Sequence, residues 1–362
     1  MVRYRSLRDI DWPMLAIALI ICALGVLQIF SATHDTKWQD AWWKQIIWVG
    51  LALGLMLVVT ITDYHALLGQ IPILYVSSLA ALVGVLAVGR LVFGSRRWIH
   101  LFGFNFQISE FVKLVIVLVV ARYLSELKGN EVSTRDLLKL GCLVGIPAIL
   151  VMYQPDLGTG LTYLPVLAAG VLIAGLRWRY LAVAVLVGAL VLPVGWVFLK
   201  DYQKARLVTF IDPSKDPKGS GYQVIQSRIA VGDGGMWGRG VTRGTQTQLR
   251  FLPVPHTDFI FSAFAEEHGF IGVVAVLGLY FLLLMQVVQN AQTAPDRAGM
   301  YICMGVAALL LFHVLVNVGM VVGRMPVTGI PLPLMSSGGS NMFSVFMMLG
   351  LVNNVRLRRF VS

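Results

Sequence analysis

The residues of this chain that can do chemistry stand at the edges of apolar stretches. The first is Asp258, in His256-Thr257-Asp258-Phe259-Ile260-Phe261, where a long polar segment runs back into a hydrophobic one. A carboxylate there can meet both a polar group and a buried cavity, and can take a proton as a general base. The same position fits a helix cap, because Thr257 or Asp258 directly precedes an apolar run. Asp258, Ser262 and Glu266 are spaced i, i+4, i+8 and fall on one helical stripe, followed by the adjacent Glu267 and His268. Glu110 and Lys113 lie three apart at the start of another apolar run, either as a local ion pair or as part of a site. Asp156, in Gln154-Pro155-Asp156-Leu157-Gly158-Thr159, reads from spacing as a turn or cap residue.

The elements that must hold these groups are membrane helices. Of 362 residues, 57% are hydrophobic and 13% charged, and the mean hydropathy is +0.77. That excludes a soluble domain. The net charge of +11 comes with no basic low-complexity tail or RNA-binding signature, so it points to topology and anionic lipid and not to nucleic acid. Cys22, Cys142 and Cys303 all lie in apolar stretches and imply neither a disulfide framework nor a metal site. The stretch after Arg8 is too long for a signal-peptide core and reads as a retained first helix. Apolar runs fall near 12–31, 43–60, 71–89, 108–125, 137–153, 160–176, 180–199, 259–289, 299–323 and 338–355. The expectation is an all-α polytopic membrane protein with about ten spans, forming a single integral-membrane domain over 1–362.

An even count puts both termini on one side. Thirteen Lys and Arg residues in short loops and span ends share that side, against six on the other, so the termini are expected to be cytoplasmic. Arg96, Arg97 and Arg324 belong to the minority, placed either for an anion or for lipid headgroups. The 200–258 segment is a long outer loop, in which Tyr222, Ile225 and Ile229 predict a short amphipathic helix on the membrane or against the bundle. The run Gly232–Gly240, which includes Arg239, is either a flexible loop or a backbone cradle for an anion. Pro326–Ser340, with Ser336, Gly338 and Gly339, is too apolar for a loop and too rich in Pro and Gly for a helix. It is either a structural plug or a substrate groove.

Taken in order, these stretches resemble the SEDS family (shape, elongation, division and sporulation), and the chain is most similar to its RodA branch. The resemblance rests on Phe93–Trp98, Ser109–Lys113, Gln154–Thr159, Ala230–Gly240, His256–Gly269 and Pro331–Ser340. Ser337 stands where the family commonly has Tyr. The resemblance implies ten transmembrane helices in the bacterial cytoplasmic membrane. It also implies a peptidoglycan glycosyltransferase that polymerises lipid II at the outer leaflet during elongation, beside a class B penicillin-binding protein. Asp258 matches the family's key acid, and Arg96, Arg97, Glu110 and Lys113 match its central cavity. Asp156, Arg239, Glu266, Ser336, Gly338 and Gly339 join them as candidate substrate contacts. A divalent cation, Mg²⁺ or Mn²⁺, is expected with ligands unassigned, and no organic cofactor. A lipid II transporter and a non-catalytic scaffold for the transpeptidase are the rival readings.

Overall fold

The computed structural model describes residues 9–359 apart from 93–94, 102–103, 128, 130, 178, 181, 183–185, 187–200 and 218, and without the side chains at 90–92, 95–96, 101, 104 and 201–202. Helix α1 (Trp12–Thr33) starts on Asp11, whose carboxylate accepts from the Met14 amide at 3.2 Å, with Pro13 in its first turn. Then come α2 (Ala41–Ile61), the short α3 (Tyr64–Gly69) and α4 (Ile71–Val88). A three-stranded antiparallel sheet follows, in the order β1 (Arg90–Val92), β2 (Ser95–Leu101), β3 (Phe104–Gln107). The membrane body is helical as expected, but this sheet was not read from the sequence. Its strands alternate too briefly to stand out between apolar runs, although Trp98, Ile99 and Phe106 suit a pleated surface. Its register sets Trp98 opposite Gln107 and Ile99 opposite Phe106, which brings Arg97 and Gln107 onto adjacent strands.

Helix α5 (Ile108–Ser125) leads to α6 (Thr134–Tyr153), which carries a Ser133/Asp136 capping box, and then to α7 (Leu157–Leu161) and α8 (Tyr163–Ile173). The expected span at 180–199 lies almost entirely outside the described residues. The 200–258 segment contributes α9 (Asp201–Ile211), α10 (Ser220–Asp233) and α11 (Thr245–Gln248). Helices α12 (Ile260–Gln292), α13 (Arg297–Val321) and α14 (Gly339–Arg358) complete the bundle. Six of these helices (α1, α2, α4, α6, α12 and α13) are long and apolar enough to cross a membrane. Helix α5 carries Glu110, Lys113 and Arg122, and α14 carries Arg356 and Arg358, yet both pack into the core.

Asp11 accepts from Asn290 Nδ2 at 2.6 Å and pairs with Arg356 at 2.9 Å, while its amide donates to Asn353 Oδ1 at 2.9 Å. These bonds gather the start of α1 and the ends of α12 and α14 at one end of the bundle. Asp258, just before α12, lies toward the other.

The glycine-rich run of the 200–258 segment is docked against α12, with amides spent on backbone carbonyls. Helix α12 breaks at Gly269, with φ 65° and ψ −166°. A break leaves carbonyls before it and amides after it without helical partners. The loop supplies them: Arg239 N donates to Glu266 O at 3.0 Å and Gly240 N to Glu267 O at 2.9 Å, while Phe270 N donates to Gly235 O at 2.9 Å. Gly238 and Gly269 meet back to back, so that a Cβ on Gly269 would stand 2.3 Å from Gly238 N. Gly269→Ala is therefore expected to destabilise the fold by roughly 2–5 kcal/mol, combining a glycine-only backbone region with a backbone clash. The check is the thermal unfolding midpoint in detergent, and an unchanged midpoint would reject the interlock.

The expected amphipathic helix is α10, but it docks by another face. Gly221, Val224, Ser227 and Ala230 are buried, whereas Ile225 and Ile229 are exposed. Small residues let α10 approach α12 closely, and Ser227 Oγ reaches Ser262 Oγ at 2.9 Å and Val321 O at 2.7 Å.

Candidate active site

Asp258 does not cap α12. The N-cap is Phe259, and no side chain makes a capping bond there. The carboxylate is thus left for other chemistry, partly open to solvent. Its backbone is held firmly: Asn317 Nδ2 donates to Asp258 O at 2.9 Å and to Ile330 O at 2.8 Å. The Pro326–Ser340 segment is stitched alongside, with Ser336 Oγ donating to Thr257 O at 2.8 Å and Ser337 N to His256 O at 3.0 Å. Ser336 Oγ also accepts from Leu332 N at 2.9 Å, so its hydroxyl serves to position this segment. Val327, Ile330, Leu332, Leu334 and Met335 are buried beneath it. Irregular backbone is satisfied here by protein donors, as membrane depth requires.

Charges converge on Asp258 from three other elements. Burial lifts its carboxyl above the ordinary carboxylate value, Arg97 and Arg206 oppose that shift, and Asp156 adds to it. Arg97, on β2, pairs with Asp156 Oδ2 at 3.3 Å. Asp156 is indeed a cap, accepting from Thr159 N at 3.2 Å, and it also takes Gln107 Nε2 at 2.6 Å. Asp156 therefore caps α7 and also joins the charged groups around Asp258. Arg206, on α9, donates to Thr328 O at 3.2 Å.

Glu110 and Lys113 form a buried pair at 2.8 Å, 3% and 1% exposed. Lys113 Nζ also reaches His313 Nε2 at 3.2 Å, and His313 Nδ1 meets Pro331 O at 3.1 Å. A carbonyl can only accept, so His313 donates from Nδ1 and receives the ammonium proton at Nε2. This chain ties α5 and α13 to the segment that abuts Asp258.

The remaining candidates lie elsewhere. Arg239 forks onto Asp233 in the outer loop, which raises the arginine's pKa and lowers the aspartate's. Glu266 accepts from Gln246 N at 2.6 Å and from Thr247 N and Oγ1 at 3.1 and 2.7 Å, anchoring α11. Glu267 accepts from Gln28 Nε2 at 3.2 Å and from Ser31 Oγ. The i, i+4, i+8 stripe therefore faces the loop beyond Asp258. Gly338 and Gly339 open α14: the Gly338 amide donates to Gln45 Oε1 at 3.3 Å, and Trp48 covers Gly339. Arg96 sits opposite Leu91 in the sheet, and its side chain lies outside the described ones.

Among the described residues no three His, Cys, Asp or Glu side chains lie together, and the Asp156 oxygens are already engaged by Thr159, Gln107 and Arg97. The described residues thus offer no set of three protein ligands of these types for a divalent cation.

Sequence reasoning missed Gln107, Arg206, His313 and Asn317. Arg206 was one of many basic residues in the loop. His313 was visible as an ionisable group inside a predicted span, and by that rule belonged with Glu110 and Lys113.

Residues 11–359 match the model of the cell cycle protein family that comprises FtsW, RodA and SpoVE. The chain belongs to this family. It is 38% identical over 358 residues to the peptidoglycan glycosyltransferase MrdB of Escherichia coli K12, covering 97% of this chain and 94% of that one. Its fold is similar to a chain of a peptidoglycan synthase complex described as coordinating polymerization and crosslinking, with TM-score 0.85, 36% identity and coverage of 98% and 99%. It is also similar to the rod shape determining protein RodA of Thermus thermophilus, with TM-score 0.72, 32% identity and 97% of each chain covered. Within the FtsW, RodA and SpoVE family, the site around Asp258 is thus set in a fold shared along the whole chain.

Proposed function

We propose that this chain is a peptidoglycan glycosyltransferase of the elongation type, polymerising lipid II into β-1,4-linked glycan at the outer face of the bacterial cytoplasmic membrane. The observation that carries the reading is the Asp258 carboxylate, which caps no helix, is partly open, and is flanked by Arg97 and Arg206. Asp258 takes the proton of the acceptor 4-hydroxyl as that oxygen bonds to C1 of the donor sugar. The bond from C1 to the lipid diphosphate breaks with its electron pair. An α-linked donor giving a β product requires one inversion, so one base suffices and no sugar–enzyme bond is needed. Both termini are cytoplasmic in this reading, consistent with the excess of basic residues on their side and with Asp258 toward the opposite end. The partner is a class B penicillin-binding protein, in keeping with the likeness to a chain from a synthase complex.

Purified protein, with its partner and lipid II in liposomes, is expected to yield glycan polymer. Transbilayer movement of labelled lipid II without polymer would replace the transferase with a transporter. Activity of the partner unaltered by loss of every Asp258 function would leave a scaffold.

The base must be ionised to work, and burial favours its neutral form. The rate is therefore expected to rise with pH along an acid limb whose midpoint lies above the ordinary carboxylate range of about 4. A profile of kcat/KM against pH checks this, and a midpoint at or below that range would contradict the assignment.

A further inference from the structure

The ends of α3, α5 and α13 enclose a cavity of about 530 Å³, whose lining includes His65, Leu68, Arg122, Glu126, Asp296 and Arg297. It lies at the end of the bundle away from Asp258: Asp63, which caps α3, pairs with Arg358 in the last turn of α14 at 2.9 Å. The transferase reading makes no use of it.

Its charged groups are only partly spent. Asp296 holds the walls together, accepting from Gly299 N at 2.7 Å, from Tyr64 Oη at 2.8 Å and from His65 Nε2 at 2.7 Å. Arg122 donates from Nε to Glu126 Oε1 at 2.9 Å and from Nη1 to Leu68 O at 2.7 Å. Its Nη2 and the second oxygen of Glu126 make no hydrogen bond among the described residues. Arg297 makes no hydrogen bond or ion pair at all among them.

The unspent groups are therefore of both signs, guanidinium N–H on two arginines and a carboxylate oxygen on Glu126. The two arginines balance the two carboxylates, so a bare anion would meet repulsion as well as attraction, and so would a bare cation. A ligand that joins the two charges suits the cavity better. Phosphate oxygens are the preferred partners of a guanidinium, and a primary ammonium supplies donors to a carboxylate. The setting favours a lipid as the source. Arg122 stands in the last turn of α5 and Arg297 opens α13, so both lie where apolar helices end, at the level of headgroups. Ile61 and Ile73, on the helices either side of α3, are exposed and offer a surface for acyl chains.

We propose that this cavity seats the headgroup of phosphatidylethanolamine, with the phosphate on Arg297 and Arg122 Nη2 and the ammonium on Glu126. The bound lipid ties α5 to α13 at the end of the bundle opposite Asp258. The site goes beyond the transferase reading and stands without it.

The test is binding of phosphatidylethanolamine, phosphatidylcholine, phosphatidylglycerol and acyl-free phosphoethanolamine to the delipidated full chain in detergent, followed by native mass spectrometry and by the unfolding midpoint. Choline keeps the positive charge but has no N–H to give, and glycerol gives hydroxyls without the charge. Wild type is expected to hold phosphatidylethanolamine about 3- to 10-fold more tightly than either other lipid. Acyl-free phosphoethanolamine should bind far more weakly than the lipid, because it buries no chain. Arg297→Gln should weaken phosphatidylethanolamine by a similar factor. Glu126→Gln, which can still accept from Arg122, should abolish the preference over phosphatidylcholine. Arg297 has no bond to lose in the fold, so its variant stays informative if the other is unstable. Equal binding of the three lipids would mark an ordinary lipid annulus and overturn the site. A wild-type preference in Arg297→Gln would overturn the phosphate contact, and with it the proposal. Acyl-free phosphoethanolamine bound as tightly as the lipid would make the ligand a soluble one and reject the lipid.

Discussion

Asp258→Asn protein is expected to lose glycan polymerisation by about 10²- to 10⁴-fold while keeping its fold, the range that one positioned general base contributes. Asn has nearly the same shape, and the bonds that fix this position run to backbone atoms: Asn317 to Asp258 O, Ser336 to Thr257 O and Ser337 to His256 O. None of them depends on the carboxylate. What Asn lacks is the capacity to take a proton. Burial disfavours the ionised acid, so removing its charge is expected to leave the unfolding midpoint level or slightly higher. The rate comes from polymer formed from lipid II, and the midpoint from thermal unfolding of the same preparation. Wild-type polymerisation by Asp258→Asn would end the assignment. A collapsed midpoint would instead make the carboxylate structural.

Lys113→Met is expected to destabilise the protein by about 3–5 kcal/mol, the cost of leaving one member of a buried ion pair alone. Lys113 and Glu110 are almost wholly buried, and Glu110 Oε2 has no other partner among the described residues. The same substitution cuts His313 from its ammonium and loosens the link through Pro331 to the segment beside Asp258. Polymerisation should fall with stability. The double variant Glu110→Gln, Lys113→Met removes both charges and should be more stable than Lys113→Met alone, because no unpaired charge remains. Unfolding midpoints of wild type, Glu110→Gln, Lys113→Met and the double variant form a cycle that checks this. Strictly additive losses would show that the two side chains do not act as a pair.

Much of this was legible beforehand. The hydrophobic runs gave the helices, since every backbone polar group in a bilayer must be satisfied within its own segment. The break of α12 was less visible: Gly269 is one glycine among 36 in the chain, and only the docked loop shows why its position needs no side chain. The α10 helix was predicted from Tyr222, Ile225 and Ile229, yet it packs through Gly221, Val224, Ser227 and Ala230. Periodicity marked the large residues, but close helix contact selects the small ones. Glu266 looked like a stripe-mate of Asp258 and proved to be the anchor of α11. A stripe stays on one side of its helix only while the helix is regular and its neighbours are the same along its length.

The sequence alone determined that this chain is a membrane protein, where its apolar segments run, and that Asp258, Asp156 and the Glu110–Lys113 pair are unusual carboxylates and cations. Those are local properties, set by composition and spacing. Only the tertiary structure decided that Asp258 does not cap a helix, because the N-cap falls one residue later, on Phe259, with the turn before it pinned by Ser336 and Ser337. Only the tertiary structure brought Arg97 and Arg206 to the same carboxylate. One comes from a sheet and the other from a loop helix more than a hundred positions away. Contacts of that kind are fixed by packing between elements, on which the spacing of residues within any one element is silent.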